Sequence, residues 1–298
     1  MSVRVGIQLN AANNPLSSGE RFWSIVESCE RLGFDSLWLS ERASGPVPDS
    51  LSALAAIAGR TSRLKFGSSV LVVPAYNPVL LAKALATIDV LSNGRILPAV
   101  GIGLDDPREL EALNVRREER GRRLDEAIVL MKKLWTEERV TFHGAFYNVT
   151  DFTVWPRPVG PLPNAVWAGG NSDAAHRRAG RLCDGWLPSY ATPAEIEHGI
   201  AAVNSYAAAA GRSVPDDHFG VLMPISFESE PTAQMLARRP HTHPREYAAF
   251  GSTADMLAQG RKFVAAGATK LVLFPSRSGD LAQLERLRED VALPLEVA

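Results

Sequence analysis

Cysteine is nearly missing: the chain of 298 residues holds two, Cys29 and Cys183. They lie in separate helical patterns with no CxxC spacing, which excludes a disulfide scaffold and leaves core packing in a reducing compartment as the expectation. An excess of one charge is also missing. With 32 basic and 33 acidic residues the net charge is -1, so no basic field invites nucleic acid. No apolar run approaches the ~20 residues of a membrane span, and MSVRVGIQLN carries a short strand-like run instead of the apolar core of a secretory signal. A cytoplasmic protein without a membrane or nucleic-acid partner is therefore expected. Histidine is sparse, at six residues, and only His241 and His243 have ligand-like spacing. Flanked by Pro240 and Pro244 and lacking a carboxylate cluster, they are expected to bind no metal. No Ser-His-Asp, Cys-His or paired-carboxylate constellation emerges either, which points away from side-chain nucleophiles and toward a cofactor enzyme.

What is present is a regular alternation. Apolar residues at 46% and charged residues at 22% are the balance of a globular enzyme. Strand patterns at Val3-Leu9, Ser36-Ser40, Lys65-Val72, Arg95-Gly101, Ala165-Ala168, Gly185-Pro188, His218-Ile225 and Lys270-Phe274 number eight, and nearly all are followed by a helical period. Ser17 or Ser18 caps the first helix, which runs to Leu32 with Phe22, Ile25, Val26 and Cys29 on one face. Further helices are read at Ser50-Arg60, Pro78-Leu91, Arg117-Thr136, Ser172-Leu182, Pro193-Ala210, Thr253-Ala266 and Asp280-Val291. The joints RLGFDSLWL, RLCDGWLP and AAGATKLVLF repeat one helix-to-strand turn chemistry. Strands this apolar are buried on both faces. The expected fold is α/β, a single (β/α)8 TIM barrel domain over 1-298, preferred to an open doubly wound sheet. Residues 139-155 read as a small added β-hairpin. The long stretch 226-252 reads as a lid-like loop over the strand ends.

Within that frame the stretch VWAGGNSDAAHRRAG stands out. A strand stops at Gly169 and Gly170, and a helix opens at once on Asn171 and Ser172. Helix N-termini leave backbone N-H groups unpaired and carry partial positive charge, so a turn without Cβ atoms admits an anion closely. A tight capped turn with nothing bound remains the plainer alternative. AVGIGLDDP begins like a dinucleotide fingerprint, but Asp106 stands where a third glycine belongs.

These residues, with LGFDSLWLSE, FGSSVLVVPAYNPVLLAKALATIDVLSNGR, VGIG and ERGRRLDEAIVLMKKLW in the same order, resemble the bacterial luciferase-like family of flavin- and deazaflavin-dependent oxidoreductases. The likeness covers roughly residues 3-190 and returns at 253-291. It implies a (β/α)8 barrel that binds coenzyme F420, the preferred choice, or FMN at the carboxyl ends of its strands. The cofactor phosphate would lie on Gly169, Gly170, Asn171 and Ser172, with Arg177 and Arg178 further along the helix within reach of an anionic tail or simply solvated. The resemblance also implies a non-prolyl cis peptide at Ser69-Val70 beneath the flavin ring, with Gly101 and Gly103 approaching it closely. Glu41 and Arg42 are the candidate catalytic pair, orienting substrate or ring. Relatives often have histidine at the Arg42 position, and guanidinium cannot serve as a base near neutral pH, so Arg42 is expected to clamp an anion or pair with Glu41. Leu104 stands where sugar-phosphate-oxidising members carry a carboxylate, with Asp105 adjacent. Trp186 is read as either pocket or core. The implied activity is hydride transfer to or from a small organic substrate, with FMN-dependent monooxygenation, a non-catalytic flavin-binding protein and a metal-dependent hydrolase as alternatives. A homodimer is implied too; the third helix offers Leu80, Leu81, Leu85 and Ile88, with core packing as their default role.

Overall fold

The computed structural model describes residues 2-9, 18-160, 162, 165-276 and 280-297, Gln234 by its backbone alone. Strands and helices alternate as β1 (Arg4–Leu9), α1 (Gly19–Leu32), β2 (Ser36–Leu39), α2 (Ser50–Arg60), β3 (Lys65–Val72), α3 (Pro78–Ser92), β4 (Ala99–Gly101), α4 (Pro107–Ala112) and α5 (Arg120–Thr136). A hairpin of β5 (Val140–His143) and β6 (Asn148–Phe152) follows. Then come β7 (Trp167–Ala168), α6 (Asp173–Leu182), β8 (Gly185–Trp186), α7 (Pro193–Ala209), β9 (Gly220–Ser226), α8 (Ala233–Arg238), β10 (Ala249–Phe250), α9 (Thr253–Ala265), β11 (Lys270–Pro275), α10 (Leu281–Leu287) and α11 (Leu293–Glu296).

The helix ends follow local chemistry. Ser18 accepts the Arg21 N-H and caps α1, whereas the alternative Ser17 lies outside the described residues; Gly33, in the left-handed region at φ 77°, ends the helix. Asn77 caps α3 ahead of Pro78, and Thr192 and Glu195 form a reciprocal capping box on α7.

Nine strands form one sheet in the order β10-β9-β11-β1-β2-β3-β4-β7-β8, every neighbouring pair parallel. Two further parallel bridges, Trp186 to Phe219 and Ser189 to Leu222, link the β8 end back to β9, so the sheet curls until its ends meet. Several strands are shorter than the sequence pattern suggests. Pro98 and Pro188 lack the N-H a ladder needs, and the paired segments beside them shrink to Ala99–Gly101 and Gly185–Trp186. The ninth strand, β10, comes from the 226-252 stretch, which also contains α8 and is therefore no plain loop. The hairpin is antiparallel, and its turn is pinned to α5 because the Glu126 carboxylate accepts the amides of Ala145, Phe146 and Tyr147 at 2.7–2.9 Å.

Strand parity splits the apolar residues into two sets. Val5, Ile7, Leu37, Leu39, Val221, Met223, Leu271 and Leu273 pack outward against the helices. Trp38, Ala99, Trp167, Leu222, Val272 and Phe274 form a separate inner cluster. Cys29 and Cys183 are buried and unbridged, and burial pushes both thiols up to about 12, as packing residues require. Among the described residues no helix is long and apolar enough to cross a membrane.

Candidate active site

The carboxyl ends of the strands gather the residues that the sequence singles out. At the β7–α6 turn, Ser172 caps the helix by accepting the Ala175 N-H, and Gly170 adopts φ 93°, a conformation that favours glycine. The Gly169 amide departs from the expectation of a free donor: it donates to the Val100 carbonyl at 2.9 Å as part of the sheet. The amides of Gly170, Asn171 and Ser172 have no acceptor among the described residues, and they form the bare positive end of α6. The Gly170 carbonyl is held by the Trp186 indole N-H at 2.8 Å. Trp186 is thus wholly buried behind the turn and lines no pocket.

The Ser69-Val70 peptide is cis. Val70 stands half-buried at the inner edge, and a Cβ on Gly101 or Gly169 would meet its methyl carbons at 2.5 and 2.4 Å. Those two glycines therefore make room for Val70, a packing role beside the close approach to a ligand expected of Gly101. Gly103, at φ 77°, makes the same kind of room for Val72. Beside Val70 runs a neutral polar arc that sequence reasoning missed. The Ser69 hydroxyl donates to Gln8 Oε1 at 2.6 Å, and Gln8 Nε2 donates to the Ser40 hydroxyl at 2.7 Å. The signal was the even parity of Gln8 on β1, which faces it inward between Ile7 and Leu9.

Glu41 and Arg42 diverge. Glu41 Oε2 accepts the Val72 amide at 2.5 Å, and the Tyr76 hydroxyl donates to its other oxygen. Burial raises the Glu41 carboxyl above its usual range, with the Tyr76 and Val72 hydrogen bonds opposing and Asp49 adding to the rise. Arg42 does not pair with Glu41, one of the two roles expected of it, and Glu41 is already held by Val72 and Tyr76. Arg42 instead donates to Glu109 at 2.9 Å and lies 3.6 Å from Asp106, tying the β2 end to α4. The Glu109 carboxyl lies below its usual range: its burial works upward and is outweighed by the Ser44 and Arg42 hydrogen bonds. Asp105, adjacent to Leu104, is bound to Arg117 at 2.6 Å and turned toward α5.

Arg177 is exposed and lines a groove of about 360 Å³ between α5 and α6 that mixes basic Arg122 and Arg181 with acidic Asp125 and Glu126 over apolar Val129 and Phe142. Arg178 is not available to a ligand: it is buried against Asp125 and the Gly121 carbonyl. Of the four apolar residues of α3, Leu81, Leu85 and Ile88 are buried, the default core role, and Leu80 is exposed.

The 226-252 stretch packs Met235, Tyr247 and Phe250 onto the inner cluster beside Tyr190 and Phe274. It is fastened there by Arg239, which reaches both Glu195 oxygens at 2.6 and 2.7 Å and the Tyr190 carbonyl at 2.8 Å. His241 and His243 lie in this segment, and among the described residues no group of three metal-ligating side chains occurs.

With this geometry in view, comparison with known proteins is informative. A family model described as luciferase-like monooxygenase matches residues 3–290, and the chain belongs to that family. It is 35% identical over 226 residues to the F420-dependent glucose-6-phosphate dehydrogenase of Intrasporangium calvum, a match that covers 69% of this chain and 65% of that protein. The match thus spans just under two thirds of the relative's length. Among solved structures, the monooxygenase RslO1 of Streptomyces bottropensis superposes with a TM-score of 0.81 at 21% identity, covering 98% of this chain and 99% of that one. An F420-dependent secondary alcohol dehydrogenase, solved with an F420-acetone adduct, gives 0.79 at 18% identity over 99% of each chain. Both likenesses concern the fold.

Proposed function

We propose that the protein is an oxidoreductase that binds coenzyme F420, in preference to FMN, at the carboxyl ends of its strands and moves a hydride between it and a small organic substrate. The row of amides at Gly170, Asn171 and Ser172 carries this reading. They have no acceptor among the described residues, they sit at a helix N-terminus, and they belong to a chain whose 35% identical relative is named as F420-dependent.

The residues fit such a group. The three amides would hold its phosphate, and Val70 would offer its ring an apolar face, with the Gln8–Ser40–Ser69 arc as neutral hydrogen-bonding partners. When bound, the deazaflavin supplies the hydride acceptor or donor that no side chain of this chain provides. The chain contributes position and dryness. Gly101 and Gly169 seat Val70, Glu41 braces the end of β3 through Val72 and Tyr76, and Arg42 braces α4 through Glu109. We assign Glu41 and Arg42 to positioning on this account. Arg177, with Arg122 and Arg181, is assigned to the anionic part of the cofactor beyond the phosphate.

The same reading takes the curled sheet as a (β/α)8 barrel, the hairpin as its insertion and the 226-252 stretch as a lid held down by the Arg239–Glu195 pair. A spectroscopic titration of the purified protein with each cofactor tests it, with limited proteolysis of the lid run alongside. F420 should bind more tightly than FMN and slow cleavage within 226-252. Tight FMN binding with none of F420 would transfer the reading to the FMN-dependent monooxygenases, and binding of neither would end it. We also propose a homodimer through α3, where Leu80 and Leu91 lie exposed three turns apart on one side. Light scattering that gives the mass of one chain removes that element alone.

A further inference from the structure

The bare amides at the β7–α6 turn do not by themselves account for a preference between the two cofactors. FMN ends in a phosphate monoester, whereas F420 carries a phosphodiester that continues into a lactyl and glutamyl chain with a carboxylate on every glutamate. N-H donors at a helix N-terminus accept either phosphate, and the more highly charged monoester suits them at least as well. The two rings have nearly the same outline, so Val70 and the neutral Gln8–Ser40–Ser69 arc offer both the same surface. What distinguishes the two cofactors for this chain lies beyond the phosphate.

The groove between α5 and α6 begins between one and two turns along α6 from those amides. At a rise of ~1.5 Å per residue, Arg177 stands roughly 7.5 Å and Arg181 roughly 13.5 Å past Ser172 along the helix axis. Arg178, on the same helix, holds Asp125 and the Gly121 carbonyl and so keeps the first half of α5 alongside. Between the helices the groove has a volume of about 360 Å³ over a floor of Val129, Phe142 and Leu182.

The charges that line it are not equally available. Asp125 is bound to Arg178, and the Glu126 carboxylate accepts the amides of Ala145, Phe146 and Tyr147. Arg122, Arg177 and Arg181 are exposed and have no carboxylate partner among the described residues; Arg122 lies 5.4 Å from the Phe146 ring centroid. Three available guanidinium groups over an apolar floor fit a flexible chain that alternates carboxylates with methylene groups. The guanidinium forks take the carboxylates, and the methylenes cover the floor.

We propose that this groove, rather than the ring or the phosphate turn, separates F420 from FMN by holding the glutamyl carboxylates of the deazaflavin cofactor. The proposal rests on the cofactor reading above and adds where its selectivity resides. Each exposed guanidinium–carboxylate contact is worth little alone, so two or three together set the scale at about tenfold in affinity.

Absorbance titrations with three ligands test it: FMN, the deazaflavin 5′-phosphate without the lactyl-glutamyl tail, and intact F420. The tail-less phosphate should bind within about threefold of FMN and intact F420 about tenfold more tightly, an advantage that shrinks as salt is raised. Arg177→Gln combined with Arg181→Gln should bring F420 down to the affinity of the tail-less phosphate. Both side chains are exposed, so the melting temperature of this variant should match that of the wild type. Two results overturn the proposal while leaving the cofactor reading in place. One is a tail-less deazaflavin phosphate that binds as tightly as F420, and the other is a double variant that keeps the full advantage of F420 or weakens all three ligands alike. Binding of none of the three ends both.

Discussion

Gly170→Asp is expected to weaken deazaflavin binding about a hundredfold, roughly 2.7 kcal/mol, in the absorbance titration. Two effects combine at this position. Gly170 holds φ 93°, where an L side chain adds strain of about 1–2 kcal/mol. The new carboxylate would also stand beside the amides of Gly170, Asn171 and Ser172, where the proposed ligand brings its own negative charge; two such charges ~4 Å apart repel by about 4 kcal/mol at an effective dielectric near 20. Gly170→Ala separates the contributions, because it carries the backbone strain without the charge. Alanine should lower the melting temperature much as aspartate does, yet reduce cofactor affinity far less. Equal affinities for the two variants would mean that the turn holds no anion. The charge component should also shrink as salt is raised, since the turn is open to solvent.

This turn also marks how far the sequence could be read. Gly-Gly-Asn-Ser between a β-run and a helical period identifies a capped strand-to-helix corner, and Ser172 caps α6 as its residue type predicts. What the local pattern could not reveal is that the Gly169 amide belongs to the sheet. That bond to Val100 depends on the β4–β7 register, set by residues some 70 positions apart. Arg42 has the same history. Its neighbour Glu41 is the obvious ion-pair partner on paper, but Glu41 is held by Val72 and Tyr76 and loop packing supplies Glu109. Trp38, Leu222 and Phe274 turn inside and Leu37, Met223 and Leu273 outside, a split that follows strand parity but that uniformly apolar strand patterns leave unassigned. The Ser69-Val70 cis peptide agrees with the family resemblance and with nothing local in GSSVLVVP. The ninth strand went unread because two residues, Ala249 and Phe250, are too few to show a period.

At the opposite end of the strands, Lys270→Met is expected to lower stability by about 3 kcal/mol, the low end of the range for removing one partner of a buried ion pair. Lys270 is fully enclosed. Its ammonium pairs with Asp35, donates to the Ser36 hydroxyl at 3.2 Å and lies 5.8 Å from the Trp38 ring centroid. Burial pushes its pKa down to about 8, with Asp35 opposing. For Asp35 burial works upward, but Lys270 and Lys65 outweigh it and bring the carboxyl down to about 2. Both shifts run downward, but the one favours the charged carboxylate and the other disfavours the ammonium, because Asp35 answers two ammoniums and keeps some solvent whereas Lys270 has one carboxylate and none; both groups are charged at neutral pH. In the variant Asp35 keeps Lys65 at 3.4 Å, which is why the loss should fall at the low end. Asp35→Leu combined with Lys270→Met, which leaves no buried charge, should recover most of the stability.

The pH dependence gives an independent check. A lysine depressed to about 8 in the fold, against ~10.4 in the unfolded chain, is protonated more in the unfolded state between those values. Its contribution to stability is therefore present above ~10.4 and is lost as pH falls through 8. Asp35 contributes fully above its unfolded value of ~3.9, and that contribution is lost as pH falls toward 2. Melting curves should show stability from this lysine rising between pH 8 and ~10.4 in the wild-type protein, a rise that Lys270→Met abolishes. If the slope in that window is the same in both proteins, Lys270 is not the buried, depressed cation described here.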